Sequence, residues 1–245
     1  MLEYQAAKDL LINKTILVTG AGDGIGRAAA ICFAKHGATV ILLGKTVKKL
    51  EAVYDAIEQA GYPKPAIVPL DLKGATEQNY IDMAETIEQQ FGHLDGLLHN
   101  ASMLGVLGPF KHISMDSVTE VMQVNVIAEI MLTKSLLPVM KKSPQASLVF
   151  TSSSVGRKAK AFWGEYAISK FATEGMMQAI ADEYEGSNLR VNSINPGATR
   201  TSMRANAYPA ENQQMLKTPE EIMVTYLYLM GNDSVEVHGQ QLNAQ

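Results

Sequence analysis

Tyr166 and Lys170 stand four residues apart in a stretch whose pattern predicts a helix over 165–185. That spacing puts both side chains on one face, one turn apart. A tyrosine hydroxyl with its ordinary pKa of about 10 is a poor base at neutral pH. A nearby ammonium favours the phenolate, so the pair can exchange a proton with a hydroxyl or carbonyl oxygen. Ser153, thirteen residues before Tyr166, lies between Ser152 and Ser154 at the end of a short apolar run. A hydroxyl there can hydrogen-bond the same oxygen, and spacing alone does not choose among the three serines. Tyr-x-x-x-Lys is common on exposed helix faces, and serines are common in strand-end turns. The pair gains meaning only from its setting.

The second cluster is Thr19-Gly20-Ala21-Gly22-Asp23-Gly24-Ile25-Gly26. It follows a β-branched run and opens a helical one. Glycines there permit a tight turn, close backbone approach to a pyrophosphate and close helix-on-strand packing. The helix N-terminus offers free N–H groups to phosphate. No Gly-Lys-Ser/Thr follows, so the loop lacks the lysine of a P-loop and favours a dinucleotide over ATP or GTP.

These clusters must be positioned by the elements around them. Strands are expected over 15–19, 38–43, 66–70, 94–99, 147–151 and 189–194, with an edge strand over 240–243. Helices are expected over 25–36, 47–60, 77–91, a long stretch ending at 140, 165–185 and 219–230, the last with Thr218 as N-cap. Short apolar strands alternating with helices imply one α/β domain, a doubly wound, mostly parallel sheet of about seven strands with helices on both faces. The segment 202–217 is polar, carries Pro209 and reads as an irregular substrate flap.

Composition narrows the function. The chain has 245 residues, 47% hydrophobic and 19% charged, with a net charge of −4. That is globular, long enough to bury a core without staples, and a poor match to nucleic-acid binding through phosphates. No stretch has the roughly 18 apolar residues of a membrane span, and no signal-peptide plan is visible, so a cytoplasmic protein without membrane contact is expected. The five histidines show no metal-ligand spacing, so no metal is expected. Cys32, the single cysteine, is read as a buried, inert thiol. Phe162, Trp163 and Met203 are candidates for an apolar substrate wall.

Together these residues resemble the short-chain dehydrogenase/reductase family, with its Rossmann-like fold, over nearly the whole chain. The motifs occur in family order. Thr19–Gly26 matches TGxxxGxG, Asp71-Leu72 matches an adenine-holding pair, and Asn100-Ala101 sits within Asn-Asn-Ala-Gly. Asn125, Ser153, Tyr166 and Lys170 match the catalytic tetrad, and Pro196, Gly197, Thr199 and Thr201 match the nicotinamide side. The three residues between Tyr and Lys, against six, separate it from enoyl reductases of this fold. GKTVKKLEAVYDAI, LDGLLHNAS and SKFATEGMMQ are similar to a YciK-type bacterial branch.

The resemblance implies that a small carbonyl or alcohol is interconverted by hydride transfer. Tyr166 would be the acid/base, Lys170 would lower its pKa and bind the nicotinamide ribose, Ser153 would orient the carbonyl, and Asn125 would hold a water leading to Lys170. His99 and Ser102 replace family residues and are expected on the adenosine side. The residues after Leu242 lack the family's Asp-Gly-Gly, so a homo-oligomer in the form of a dimer through the long helices is expected over a tetramer. Gly175 would allow close packing there.

The end of the second strand bears on the cofactor. An acid there would bind the ribose 2′-OH and repel a 2′-phosphate. The chain has Gly44, followed by Lys45 with Lys48 and Lys49 nearby, so NADP(H) is expected over NAD(H), although Asp23 stands in the glycine loop. The other reading is a dinucleotide-binding sensor or interaction protein of the same fold with little turnover.

Overall fold

Every long strand is buried on both faces, which demands helical cover on both sides. The chain runs β1 (Thr15–Thr19), α1 (Gly24–Lys35), β2 (Thr39–Gly44), α2 (Val47–Gln59), β3 (Ala66–Pro69), α3 (Glu77–Phe91), β4 (Gly96–His99) and α4 (Met115–Met122). It continues through α5 (Ala128–Met140), β5 (Ala146–Thr151), α6 (Gly164–Glu183), β6 (Leu189–Asn195), α7 (Ser202–Ala207), α8 (Met223–Met230) and β7 (Gln241–Asn243). In this computed structural model, which describes residues 4–245, the strands form one parallel sheet ordered β3-β2-β1-β4-β5-β6-β7. This is the doubly wound, single-domain α/β architecture read from the sequence.

The pleat sends alternate residues of β1 to opposite cores. Ile16 and Val18 pack with Phe33, Leu50, Val53 and Tyr226, under α1, α2 and α8. Leu17 packs with Tyr80, Leu132 and Met177, under α3, α5 and α6. Strand order reverses between β1 and β4, and the carboxyl ends there open the crevice in which such sheets bind ligands.

Three elements differ from their sequence reading. The fourth strand starts at Gly96 rather than 94: Leu94 N–H turns to Val139 O, and Asp95 still bonds Thr15 O and Ser147 N–H through its backbone while its carboxylate accepts from Thr15 N–H and Ser143 Oγ. The helix ending at 140 is interrupted by a π-helical turn, Gln123–Ile127, in which Ala128 N–H reaches back to Gln123. The helix expected over 219–230 begins with a 3₁₀ turn, Glu220–Ile222, entered through a reciprocal pair between Thr218 and Glu221.

The segment 202–217 is also not the irregular stretch expected. It holds α7 and a 3₁₀ turn, Gln213–Met215. Arg204 grips Glu211 through two 2.6 Å bonds. The Arg200 guanidinium gathers the carbonyls of Gln213, Gln214 and Leu216. These contacts of charged side chains hold the segment in its fold.

Candidate active site

At the carboxyl ends of β1, β4, β5 and β6 lies a cavity of about 430 Å³, within the range of small-molecule sites. Tyr166, Lys170 and Ser153 line it together. The first two are buried on α6, one turn apart as expected. Lys170 Nζ donates to Thr151 O at 2.9 Å and lies 5.9 Å from the Tyr166 ring centroid. The carbonyl at the end of β5 thus accepts from the ammonium and holds its charge beside the phenol.

Burial separates the three serines. All three line the cavity; Ser152 is buried, Ser154 exposed and Ser153 half-buried between them. Its Oγ accepts weakly from Val155 N–H at 3.4 Å. Among the described residues it donates to no protein acceptor, so its hydrogen remains for a ligand oxygen. Gly156 is essential to this turn, since a Cβ there would meet Lys170 at 2.8 Å.

Asn125 is brought near but does not line the cavity. Its Oδ1 accepts from Met103 N–H at 2.7 Å, and its Nδ2 donates to Met103 O and Ser169 Oγ. The side chain ties the loop after β4 to α6, with both of its amide hydrogens engaged. It sits in the π turn, a device common at functional sites.

The glycine loop lies at the other end of the crevice. Gly20 has φ +66, and a Cβ on Gly26 would strike Gly20 O at 2.3 Å, so α1 approaches β1 only without side chains. Asp23 caps α1 through Gly24 N–H and pairs with Lys49. That hydrogen-bonded lysine holds the carboxyl below the usual range against the cost of burial. Thr19 Oγ1 accepts from the N–H groups of both Asn100 and Ala101 at 2.9 Å, which locks β1 to β4.

Gly20, Asp23, Gly24, Ile25, Asn100 and Ala101 share the main cavity with Pro196, Gly197, Thr199 and Thr201. An adjoining cavity is lined by Gly22, Gly44, Lys45, Asp71 and Leu72. Gly26 lines neither. Thr201 caps α7.

His99 corrects an expectation. It is buried against Phe150 with ring centroids 4.9 Å apart, and Nε2 lies 2.8 Å from Thr133 Oγ1. Burial, then the charge of Lys170, lowers its pKa to about 3. It is a neutral core group rather than an adenosine contact. Ser102 does line both cavities. Of the proposed wall residues, Trp163 and Met203 line the main cavity, while Phe162 points outward, 61% exposed. Cys32 is half-buried, and burial pushes its thiol up to about 11.

Some site residues had no signal in the sequence beyond their neighbours. Glu165, beside Tyr166, accepts from Val106 N–H and Ser117 Oγ. Burial opposes its charge, yet these bonds hold the carboxyl below the usual range. Gln245 binds the carbonyls of Pro196 and Ala198. Among the described residues no group of His, Cys, Asp and Glu is arranged to hold a metal, and no helix is long and apolar enough to cross a membrane.

A glycine turn at the switch point and a Tyr–Lys–Ser cluster in one crevice describe a dinucleotide-dependent redox fold. The short chain dehydrogenase family model matches residues 14–212, and the chain belongs to that family as an oxidoreductase. It is 52% identical over 244 residues to the oxidoreductase YciK of Escherichia coli (strain K12), covering 100% of this chain and 96% of that one. A short chain dehydrogenase structure from Pseudomonas syringae superposes with TM-score 0.98 at 55% identity, with both chains fully covered. One from Shigella flexneri 2a, complexed with NADP, superposes with TM-score 0.96 at 52% identity over 98% of this chain and 100% of that one.

Proposed function

We propose that the chain interconverts a carbonyl and an alcohol with NADP(H), using Tyr166 as general acid and base. The observation that carries this is the convergence of Tyr166, Lys170 and Ser153 on one cavity wall beside the glycine crevice.

The residues fit the cofactor. The glycine turn leaves space against the α1 N-terminus for a pyrophosphate. The adenosine end has Gly44 where a side-chain acid would repel a 2′-phosphate, and Lys45 to attract one. Among the described residues no carboxylate pairs with Lys45, while Asp23 is neutralised by Lys49. The NADP complex of the Shigella relative supports the same choice. Asp71 and Leu72 would flank the adenine, Asn100 and Ala101 the adjoining ribose, and Pro196, Gly197, Thr199 and Thr201 the nicotinamide.

When bound, NADP(H) supplies or accepts the hydride. Ser153 Oγ donates to the carbonyl oxygen and stabilises its developing charge. The Tyr166 hydroxyl gives its proton to that oxygen as the new C–H bond forms, and takes it back in oxidation. The Lys170 ammonium stabilises the phenolate left behind. Asn125 acts as a positioning residue through Met103 and Ser169.

We also read the outer faces of α5 and α6 as the seat of a second copy of the chain. Ile127, Ile130, Ile168 and Phe171 are exposed there, and Gly175 faces open space. A cytoplasmic location fits the lone cysteine.

The test is Tyr166→Phe. It should keep NADPH binding within about twofold while lowering turnover of aldehydes and ketones by about 10³ or more. Turnover that survives the change sinks the proton-transfer role.

A further inference from the structure

We propose that the substrate carries a carboxylate on an apolar body, and that the Lys160 ammonium receives it at the outer end of the cavity. The inference rests on the reading of Tyr166 only for which end of the substrate reacts.

The outer half of the cavity is a row of rings. Trp163 lies 5.8 Å from Tyr166 on one side and 5.8 Å from Tyr208 on the other, centroid to centroid. Leu104, Val155, Met203 and Ala207 fill the remaining wall. Such a slot suits an extended apolar body. At its far end Lys160 Nζ donates to Tyr208 Oη at 3.1 Å and lies 5.4 Å from that ring. A phenol anchors the ammonium in place but leaves its charge unanswered.

Charge bookkeeping along the lining points the same way. Its cations are Lys160, Lys170 and Arg204, and its one carboxylate is Asp23. Asp23 belongs to the glycine loop and is paired with Lys49. Lys170 is sunk beside Tyr166, held by Thr151 O. Arg204 is neutralised by Glu211 and stacked 3.9 Å over the Tyr208 ring. Lys160 is exposed and forms no ion pair among the described residues, so the outer end of the substrate half carries uncompensated positive charge. That field attracts an anion and orients it with its charged end outward. The opposite end, the carbonyl or carbinol carbon, is then directed toward Tyr166 and Ser153. In the oxidation direction the carbinol C–H hydride passes to NADP⁺ and the hydroxyl proton to Tyr166. One aldehyde and one NADPH result.

Trp163 is the only tryptophan in the chain, so its fluorescence reads this slot without requiring turnover. The NADP⁺-loaded protein is titrated with ω-hydroxyoctanoate, ω-hydroxydecanoate and ω-hydroxydodecanoate and with their methyl esters. At one chain length the acid should bind about fivefold tighter than its ester, the size expected of an exposed ammonium. Lys160→Gln should bring that ratio to about one, Lys160→Arg should keep it, and added salt should shrink it. Equal binding of acid and ester, no binding of either, or a preference that survives Lys160→Gln overturns the proposal. An acid preference without NADP⁺ reduction would uphold the anion site and instead count against the chemistry assigned to Tyr166.

Discussion

The two ends of the crevice are built differently. At the proton-transfer end, Tyr166 and Lys170 are buried side chains fixed by a long helix, and Lys170 is tied to β5. At the adenosine end, Asp71 and Lys45 are exposed, and Gly22 and Gly44 leave space in the wall. Proton transfer needs a charge held in low dielectric at a fixed place, where each interaction is strong. Choosing between two nucleotides needs only a local balance of charge and space. The first end should therefore fail steeply when altered, and the second should be tunable.

The sharpest break is Lys170→Met, which keeps the length of the side chain and deletes the charge. Turnover should fall by about 10³ or more, while melting temperature stays level or rises, because an apolar residue replaces a buried ion. A large loss of stability would make Lys170 chiefly structural.

Glu129 extends the contrast to the helices behind the site. Its Oε2 accepts from Thr173, and its Oε1 is buried with no partner among the described residues. Burial pushes the carboxyl up to about 7, against the pull of the Lys170 charge and the Thr173 bond. A group raised in the folded state contributes stability below the ordinary carboxylate range and loses it as pH climbs through that value. Glu129→Gln should thus be nearly neutral at about pH 5 and stabilising by up to about 3 kcal/mol at about pH 8. Urea midpoints at the two pH values measure it, and equal effects at both would remove Glu129 from the picture.

At the tunable end, Lys45→Glu should weaken NADPH by about 10- to 100-fold and leave NADH within about twofold. A matched loss for both nucleotides would mean that Lys45 holds the loop rather than the 2′-phosphate. The smallest effect is at Phe162, whose φ of +72 is strained for a bulky residue. Phe162→Gly should stabilise by about 0.5–1 kcal/mol, read as a rise of about 1–4 °C in melting temperature.

What the sequence revealed depended on how far apart the partners lie. Tyr166 and Lys170 are linked by one helical turn, and the glycine loop by one strand-to-helix junction, so local pattern exposed both. The alternation of strands and helices exposed the sheet for the same reason. Asn125 matched a motif, but its partner Met103 lies 22 residues away, and no local pattern shows that its side chain holds that loop. His99 differs from the family at its position, yet Phe150 and Thr133, which bury it, come from other elements. The segment 202–217 looked irregular because it is polar and carries Pro209, whereas Arg200 and Arg204 find their acceptors within it, up to 16 residues away. Lys160 and Tyr208 sit 48 residues apart and meet only once α7 has folded.

The most direct measurement is a paired titration of the purified protein with NADPH and NADH, followed by nucleotide fluorescence. NADPH should bind tighter by about tenfold or more, as expected for a charge-assisted contact to the 2′-phosphate. Equal binding, or tighter binding of NADH, would contradict the choice of NADP(H).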